Sequence, residues 1–449
     1  METKSKVPLL NKVAYGIGTG GGCVFNQIAA AFLLNYYTDT ALISATAIAT
    51  MFLVCRIFDG ISDFIMGGIV DKTNTKLGKA RPWLIASAPL TLLGIVLLMN
   101  VPMAMSEGGK LAYAYITYIF MNCIVYTIYG ISNTALLPLM TKNAGESTML
   151  ATFSAIGNNL IGLIAGTAIT PLVMNCGWTV SSVVLGGVAC VLILISGLLN
   201  KEVDAGESGP AHPTVSMKEQ LPAVLKNRYF WLLLLIGVFS LLMNANAIGG
   251  QIFFCNVVLQ NPMLMPALMT AGQLPGVIIL FAMPAISKRW SKQTFLGLGA
   301  VLLIIGFIVT GLAGHNTTMI IVGTTIRAFG AGPLLSAVFA LVPDVVEYGN
   351  WKYGMRSEGL ISSAQSIGSK VGIGLGSAMT GWILGAVGYV PAPGAPQSEA
   401  VINAIHFDYT WLGAILGVVI LVIVLLLNVE KYAPQYRANQ GIEGSASAK

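Results

Sequence analysis

Twelve apolar runs are strung along this chain, at about 14–38, 43–70, 83–104, 112–138, 149–174, 180–200, 229–257, 263–287, 293–314, 317–343, 358–388 and 407–429. A helix needs roughly 20 mainly apolar residues to cross the hydrocarbon of a bilayer. Inside lipid every backbone N–H and C=O must be paired within the protein, so only helices or closed barrels can span it. Uninterrupted runs of this length predict helices. The charge content agrees: 9% of residues are Asp, Glu, Lys or Arg, against roughly 25% in soluble domains, and the mean hydropathy is +0.77. The chain is expected to be an all-α integral membrane protein.

Lysine and arginine orient it. The N-terminus carries Lys4, Lys6 and Lys12, and the loop after the second run carries Lys72, Lys76, Lys79 and Arg81. Lys142, then Lys201 to Arg228, then Lys288, Arg289 and Lys292, then Lys352 and Arg356, and finally Arg437 fall on the same side, whereas the alternate loops hold only Lys110. The positive-inside tendency predicts an even number of spans with both termini cytoplasmic. The polar stretch "KEVDAGESGPAHPTVSMKEQLPAVLKNR" divides the runs six and six. This gives an N-terminal bundle at 1–200, a cytoplasmic central loop at 201–228, and a C-terminal bundle with a short tail at 229–449. Ser216 and Glu219 have capping-box spacing, which predicts a short helix before the seventh run. Basic loops in equivalent places after the second and eighth runs hint at an internal repeat. A surplus of six positive charges is accounted for by these loops and predicts no nucleic-acid partner. The N-terminus shows no small-residue cleavage site, so no removed signal is expected.

Enzyme chemistry finds no support. There is no Walker A motif, and His212, His315 and His406 lie in loops without ligand spacing. The six cysteines form neither a metal pattern nor a disulfide framework. No cofactor is expected.

The charges left inside the runs are the informative residues. Arg56, Asp59 and Asp63 stand at i, i+3 and i+7, within about a 60° sector of one helix. Two readings are open. The three form an internal ion pair that ties helices together, or they form a net-negative site for a monovalent cation or proton, since carboxylates are hard oxygen ligands. In the eleventh run Ser362, Gln365, Ser366, Ser369 and Lys370 project within about 140° of one another. Such a stripe normally faces a water-filled cavity; the alternative is a Lys370 that reaches to the interface. Asn122, Tyr126, Thr127, Tyr129 and Asn133 of the fourth run, Asn158 and Asn159 of the fifth, and Asn244, Asn246 and Gln251 of the seventh add groups able to bind hydroxyl-rich ligands, or to join helices. Arg327 in the tenth run fits either a cavity or a structural pair.

With these residues in view, "FLVCRIFDGISDFIMGGIVDKTNTKLGKARPW" and "PDVVEYGNWKYGMRSEGLISSAQSIGSK" resemble two signatures of the glycoside–pentoside–hexuronide:cation symporters, of the melibiose and glucuronide permease kind. "YGIGTGG" and "NYYTD" match as well. The resemblance implies the major facilitator fold, with twelve transmembrane helices in two pseudo-symmetric six-helix bundles. It implies cation-coupled symport by alternating access, with Na⁺ or H⁺ as coupling ion and a glycoside-class sugar as substrate. It further implies a monomer in a bacterial cytoplasmic membrane. By position Asp59, Asp63 and Thr127 match the family's cation ligands, with Asp59 and Asp63 holding Na⁺ if sodium couples. Lys370 matches the lysine near the sugar. Gln365, Ser366, Asn26, Tyr126, Asn133 and Asn244 are the further cavity candidates, and Arg56 is the charge partner. Asp71, Lys79 and Arg81, with Asp344, Glu347, Arg356 and Glu358 of the second signature, correspond to the cytoplasmic gate. Cys23 and Gly130 stand where melibiose-type members carry sugar-binding aspartates, and Thr134 and Ala155 replace a tryptophan and an arginine. Losing two carboxylates while keeping Lys370 leads to the expectation that an acidic glycoside, such as a glucuronide, is preferred. The rival readings are an uncoupled facilitator, a carrier of a lipid-like or sulfonated solute, and a non-transporting receptor or scaffold, against which the polar stripe argues.

Overall fold

A computed structural model describes residues 6–203, 217–286, 291–355, 357–392 and 394–435. Among these there is no strand, only an isolated bridge between Thr75 and Gly78. The long helices are α1 (Leu9–Thr40), α2 (Ala45–Lys72), α3 (Arg81–Leu98) and α4 (Glu107–Met140). Residues 144–199 form α5 and α6, divided at Gly177, where φ is 74°. Then follow α7 (Arg228–Val258), α8 (Met265–Ile286), α9 (Lys292–Leu312), α10 (Thr317–Tyr353), α11 (Glu358–Ala386) and α12 (399–426). Among the described residues, seven helical segments are long and apolar enough to cross a membrane, one of them the combined stretch of α5 and α6.

Helix limits follow local chemistry. α3 stops at Leu98, short of the expected 104, because Pro102 lacks a donor and its neighbours resist the helical conformation. Side chains of Ser106, Asn143, Ser291 and Asn316 accept from backbone N–H groups at the starts of α4, α5, α9 and α10. α10 extends ten residues beyond the expected 343, so most of "PDVVEYGNWKYG" is helical, and Gly354 at φ 70° ends it. The short helix before α7 spans Met217–Lys226; its expected cap Ser216 lies outside the described residues, as do Lys288, Arg289 and Arg437.

Packing divides the chain into two compact units. The first comprises Met1–Glu207, Ile248–Gln273 and Ser377–Ile405; the second comprises Ser208–Ala247, Leu274–Gly376 and His406–Lys449. In the first, the glycine run of α1 lets backbones approach. A Cβ at Gly157 of α5 would lie 1.9 Å from the Gly16 carbonyl oxygen, and one at Gly18 would lie 2.2 Å from Ser196 Cβ of α6. In the second, Gly368, Gly372 and Gly376 of α11 do the same against Leu234, Val238 and Leu242 of α7. Small residues at such contacts are what helix association in lipid requires.

Each unit carries the same clamp. Glu202, after α6, accepts from the backbone N–H groups of Lys79, Ala80 and Arg81 at 2.8–3.0 Å, at the start of α3. Glu430, after α12, accepts from those of Lys292 and Gln293 at 3.0 and 3.2 Å, at the start of α9. A carboxylate at a helix N-terminus meets unpaired donors and the positive end of the dipole. The matched placement supports the internal repeat hinted at by the basic loops.

Candidate functional site

α2 carries the buried charges, and the first unit decides their surroundings. Asp59 is 7% exposed, while Arg56 and Asp63 are half-buried. An Arg56 guanidinium nitrogen lies 3.7 Å from an Asp59 carboxylate oxygen. α4 closes on this stripe through a π-helical turn, Ile119–Val125, that sets the register of the residues after it. Such one-residue expansions recur at functional sites. Thr127 follows directly, is 4% exposed, and its Oγ1 lies 3.1 Å from Ser62 Oγ. Ser62 in turn donates to the Asp59 carbonyl at 3.0 Å. The Cys123 thiol donates to the Cys55 carbonyl one turn earlier, at 3.4 Å. Thr127 is therefore held against α2 at a serine that stands between the two aspartates. Sequence reasoning passed over Ser62, although it is three residues from Asp59 and adjacent to Asp63. Hydroxyls and carboxylates are the oxygen donors that suit a hard monovalent cation.

Other α1 and α4 candidates sort into two groups. Asn26 is exposed and donates its amide to the Tyr126 hydroxyl. Tyr126 stacks between Phe25 and Tyr129, with ring centroids at 5.3 and 5.6 Å. Asn133, 7% exposed, instead joins helices: its side-chain amide donates to Thr19 at 3.2 Å, and its backbone carbonyl accepts from the Tyr15 hydroxyl at 2.9 Å. No atom comes within 4 Å of a Cβ built on Gly130, so open space lies beside that position.

In the second unit the α11 stripe divides. Gln365 is buried against α7, its amide nitrogen 2.0 Å from where a Gly237 Cβ would stand. Ser366 is exposed, while Ser369 and Lys370 are half-buried. Lys370 is two residues from both Gly368 and Gly372, which places it about 160° away from the α7 contact. Asn244 is half-buried. Its neighbour Asn246 is buried and donates to Asp408 of α12 at 2.8 Å. Arg327 donates to the Tyr409 hydroxyl at 2.8 Å and lies over the Tyr409 and Phe307 rings.

The rim residues also find places. Asp71 is exposed. Arg81 donates to the carbonyls of Gly197 and Leu198 at the end of α6, at 3.1 and 3.2 Å. Lys79 is half-buried and enters the Glu202 clamp through its backbone. Asp344 pairs with Lys292 at 2.5 Å; Glu347 is half-buried and Glu358 exposed. Arg356 lies outside the described residues. The aromatics of the second signature were not foreseen as a group. Tyr348 meets Tyr229 at 4.7 Å and Tyr432 at 5.3 Å between ring centroids, and Trp351 meets Tyr432 at 5.9 Å. They join the end of α10 to the start of α7.

Among the described residues, no group of three or more His, Cys, Asp or Glu could hold a metal ion.

A family model described as MFS/sugar transport protein matches residues 14–431. An isoprimeverose transporter of Lactiplantibacillus pentosus is 29% identical, over 97% of this chain and 92% of that one. A glucuronide carrier protein homolog of Escherichia coli (strain K12) is 29% identical, over 84% of each. Among solved structures, the crystal structure of the nucleoside transporter NupG superposes with a TM-score of 0.64 at 12% identity, covering 94% of this chain and 99% of that one.

Proposed function

Because this chain belongs to the MFS/sugar transport protein family, and is a multi-pass membrane transporter rather than an enzyme, we propose that it carries out cation-coupled symport of a glycoside-class sugar. The observation that carries the coupling is the α2–α4 junction. Thr127 meets Ser62 at 3.1 Å, and Ser62 stands in sequence between a buried Asp59 and a half-buried Asp63. Arg56 keeps the cluster at a net single negative charge, enough to attract one cation and not so much as to hold it. Na⁺ and H⁺ are the candidate ions. Lys370, Asn26 and Tyr126 are assigned to the sugar, and the rim around Arg81 and the Lys292–Asp344 pair to gating.

Flux into proteoliposomes tests this. A panel of neutral and acidic methyl glycosides is offered under an inward Na⁺ gradient or an inward pH gradient. Uphill accumulation under one of them is expected. Downhill flux alone would favour an uncoupled facilitator, and no flux of any glycoside would overturn the reading. A second reading, preference for an acidic glycoside, is favoured by the missing carboxylates at Cys23 and Gly130. A buried anion needs a cationic partner and is disfavoured by neighbouring carboxylates. Higher flux of the acidic members of the panel is its expected mark.

The proposed orientation puts both termini and the basic loops in the cytoplasm of a bacterial cell. Cys176, between α5 and α6, is the exposed cysteine; the other five are buried or half-buried. A membrane-impermeant maleimide added to intact cells should label it. Labelling only after permeabilisation would reverse the orientation.

A further inference from the structure

The first unit holds a cavity of about 880 Å³ that none of the candidate transport residues lines. It lies at the ends of α1, α5 and α7, roofed by the loop that follows Tyr389. Under the proposed orientation this is the outer end of the protein. Its volume falls within the roughly 300–1,000 Å³ of small-molecule sites.

The lining has a definite chemistry. Trp178 and Tyr389 contribute aromatic surface, which suits the C–H face of a pyranose ring. Asp39 is held rigidly: it accepts from Asn35 Nδ2 at 2.7 Å, Thr38 Oγ1 at 3.1 Å and the Tyr389 hydroxyl at 2.8 Å. A carboxylate has about four acceptor positions, so one remains for a ligand hydroxyl. Asn256 and Gln260 add amides that donate and accept. Gln260 adopts φ 51°, a left-handed conformation that side-chain-bearing residues rarely hold and that clusters at ligand sites. Thr170 supplies an independent sign. It is 7% exposed, lines the cavity, and its Oγ1 has no hydrogen-bond partner. Buried hydroxyls without partners are rare, and each asks for an explanation. Among the described lining residues there is one carboxylate and no Lys, Arg or His.

We propose that this cavity is a second saccharide site, selective for neutral, hydroxyl-rich rings, through which sugar is captured at the outer end apart from the α2, α4 and α11 residues. The ligand class rests on the sugar-transport reading; the preference for a neutral ring rests on Asp39 and on a lining that, among the described residues, holds no Lys, Arg or His.

Hydrogen exchange by mass spectrometry on the full-length protein in lipid nanodiscs tests the site. The probes are methyl β-D-glucopyranoside, methyl β-D-xylopyranoside and methyl β-D-glucuronide. The neutral pair should slow exchange in segments 256–264 and 389–397. The glucuronide should need about tenfold more ligand, because its carboxylate meets Asp39. Trp178→Ala should abolish the protection, and Thr170→Val, which keeps shape and removes one hydroxyl, should weaken it about fivefold. Asp59→Asn should leave it intact. No slowing with either neutral glycoside, or full slowing in both Trp178→Ala and Thr170→Val, overturns the proposal. Flux in proteoliposomes separates the two readings. Flux without protection removes the outer site alone, and protection without flux removes the transport reading alone.

Discussion

Asp59→Asn is expected to abolish uphill accumulation while leaving a folded, monodisperse protein. The amide keeps the shape of the carboxylate, so packing around a side chain only 7% exposed is retained. What it removes is the charge. At an effective dielectric near 20, two unit charges about 4 Å apart attract by about 4 kcal/mol, which is on the order of a thousandfold in cation affinity. Arg56, 3.7 Å away in the native protein, then faces the site without its carboxylate partner and repels a cation further. Proteoliposomes loaded with sugar give the decisive comparison. Exchange of internal for external sugar without a gradient should survive in Asp59→Asn, whereas gradient-driven accumulation should vanish. Accumulation at the native level would make the α2 charges a structural ion pair.

Gly157→Val is expected to lose the folded protein altogether. Overpacking a core usually costs about 1–3 kcal/mol because side chains can rotate away. Here the obstacle is backbone: the first added carbon would sit 1.9 Å from the Gly16 carbonyl oxygen. α1 and α5 would have to part along their length. Gly130→Ala is the matched control, since nothing lies within 4 Å of its Cβ. Size-exclusion profiles and thermal melting should show an aggregated Gly157→Val beside a native Gly130→Ala. A well-folded Gly157→Val with an unchanged melting temperature would refute the close approach of the two helices.

Much of this architecture was legible in the sequence because bilayer thickness and lipid polarity act on every residue of a span. That is why the runs coincide with the long helices, and why α2 stood out by its charges. Places where sequence reasoning fell short share a cause: contact between residues distant in the chain. The stripe on α11 is polar throughout by helical arithmetic, yet Gln365 packs on Gly237 while Lys370 turns away. No periodicity reports which neighbour a face will meet. Glu202 and Glu430 look like ordinary loop acids, and only folding brings them to the starts of α3 and α9. Asn133 and Asn26 are alike on paper; one ends joined to Thr19 and the other exposed beside Tyr126. Ser62 was readable from its place next to Asp63 but was hidden by the charges around it.

The clamp at the rim has a consequence for how this protein tolerates change. Glu202 is gripped by main-chain amides of residues 79–81, and every amino acid but proline supplies the same amide. The three hydrogen bonds to Glu202 thus do not themselves depend on which side chains stand there. Gly78 is constrained, since at φ 109° a Cβ would lie 2.3 Å from the Glu202 carboxyl carbon. The acid and the glycine carry the constraint of this clamp. The Lys79 side chain can therefore vary to suit another task, whereas Arg81, whose guanidinium also holds the Gly197 and Leu198 carbonyls at the end of α6, is tied to the joint.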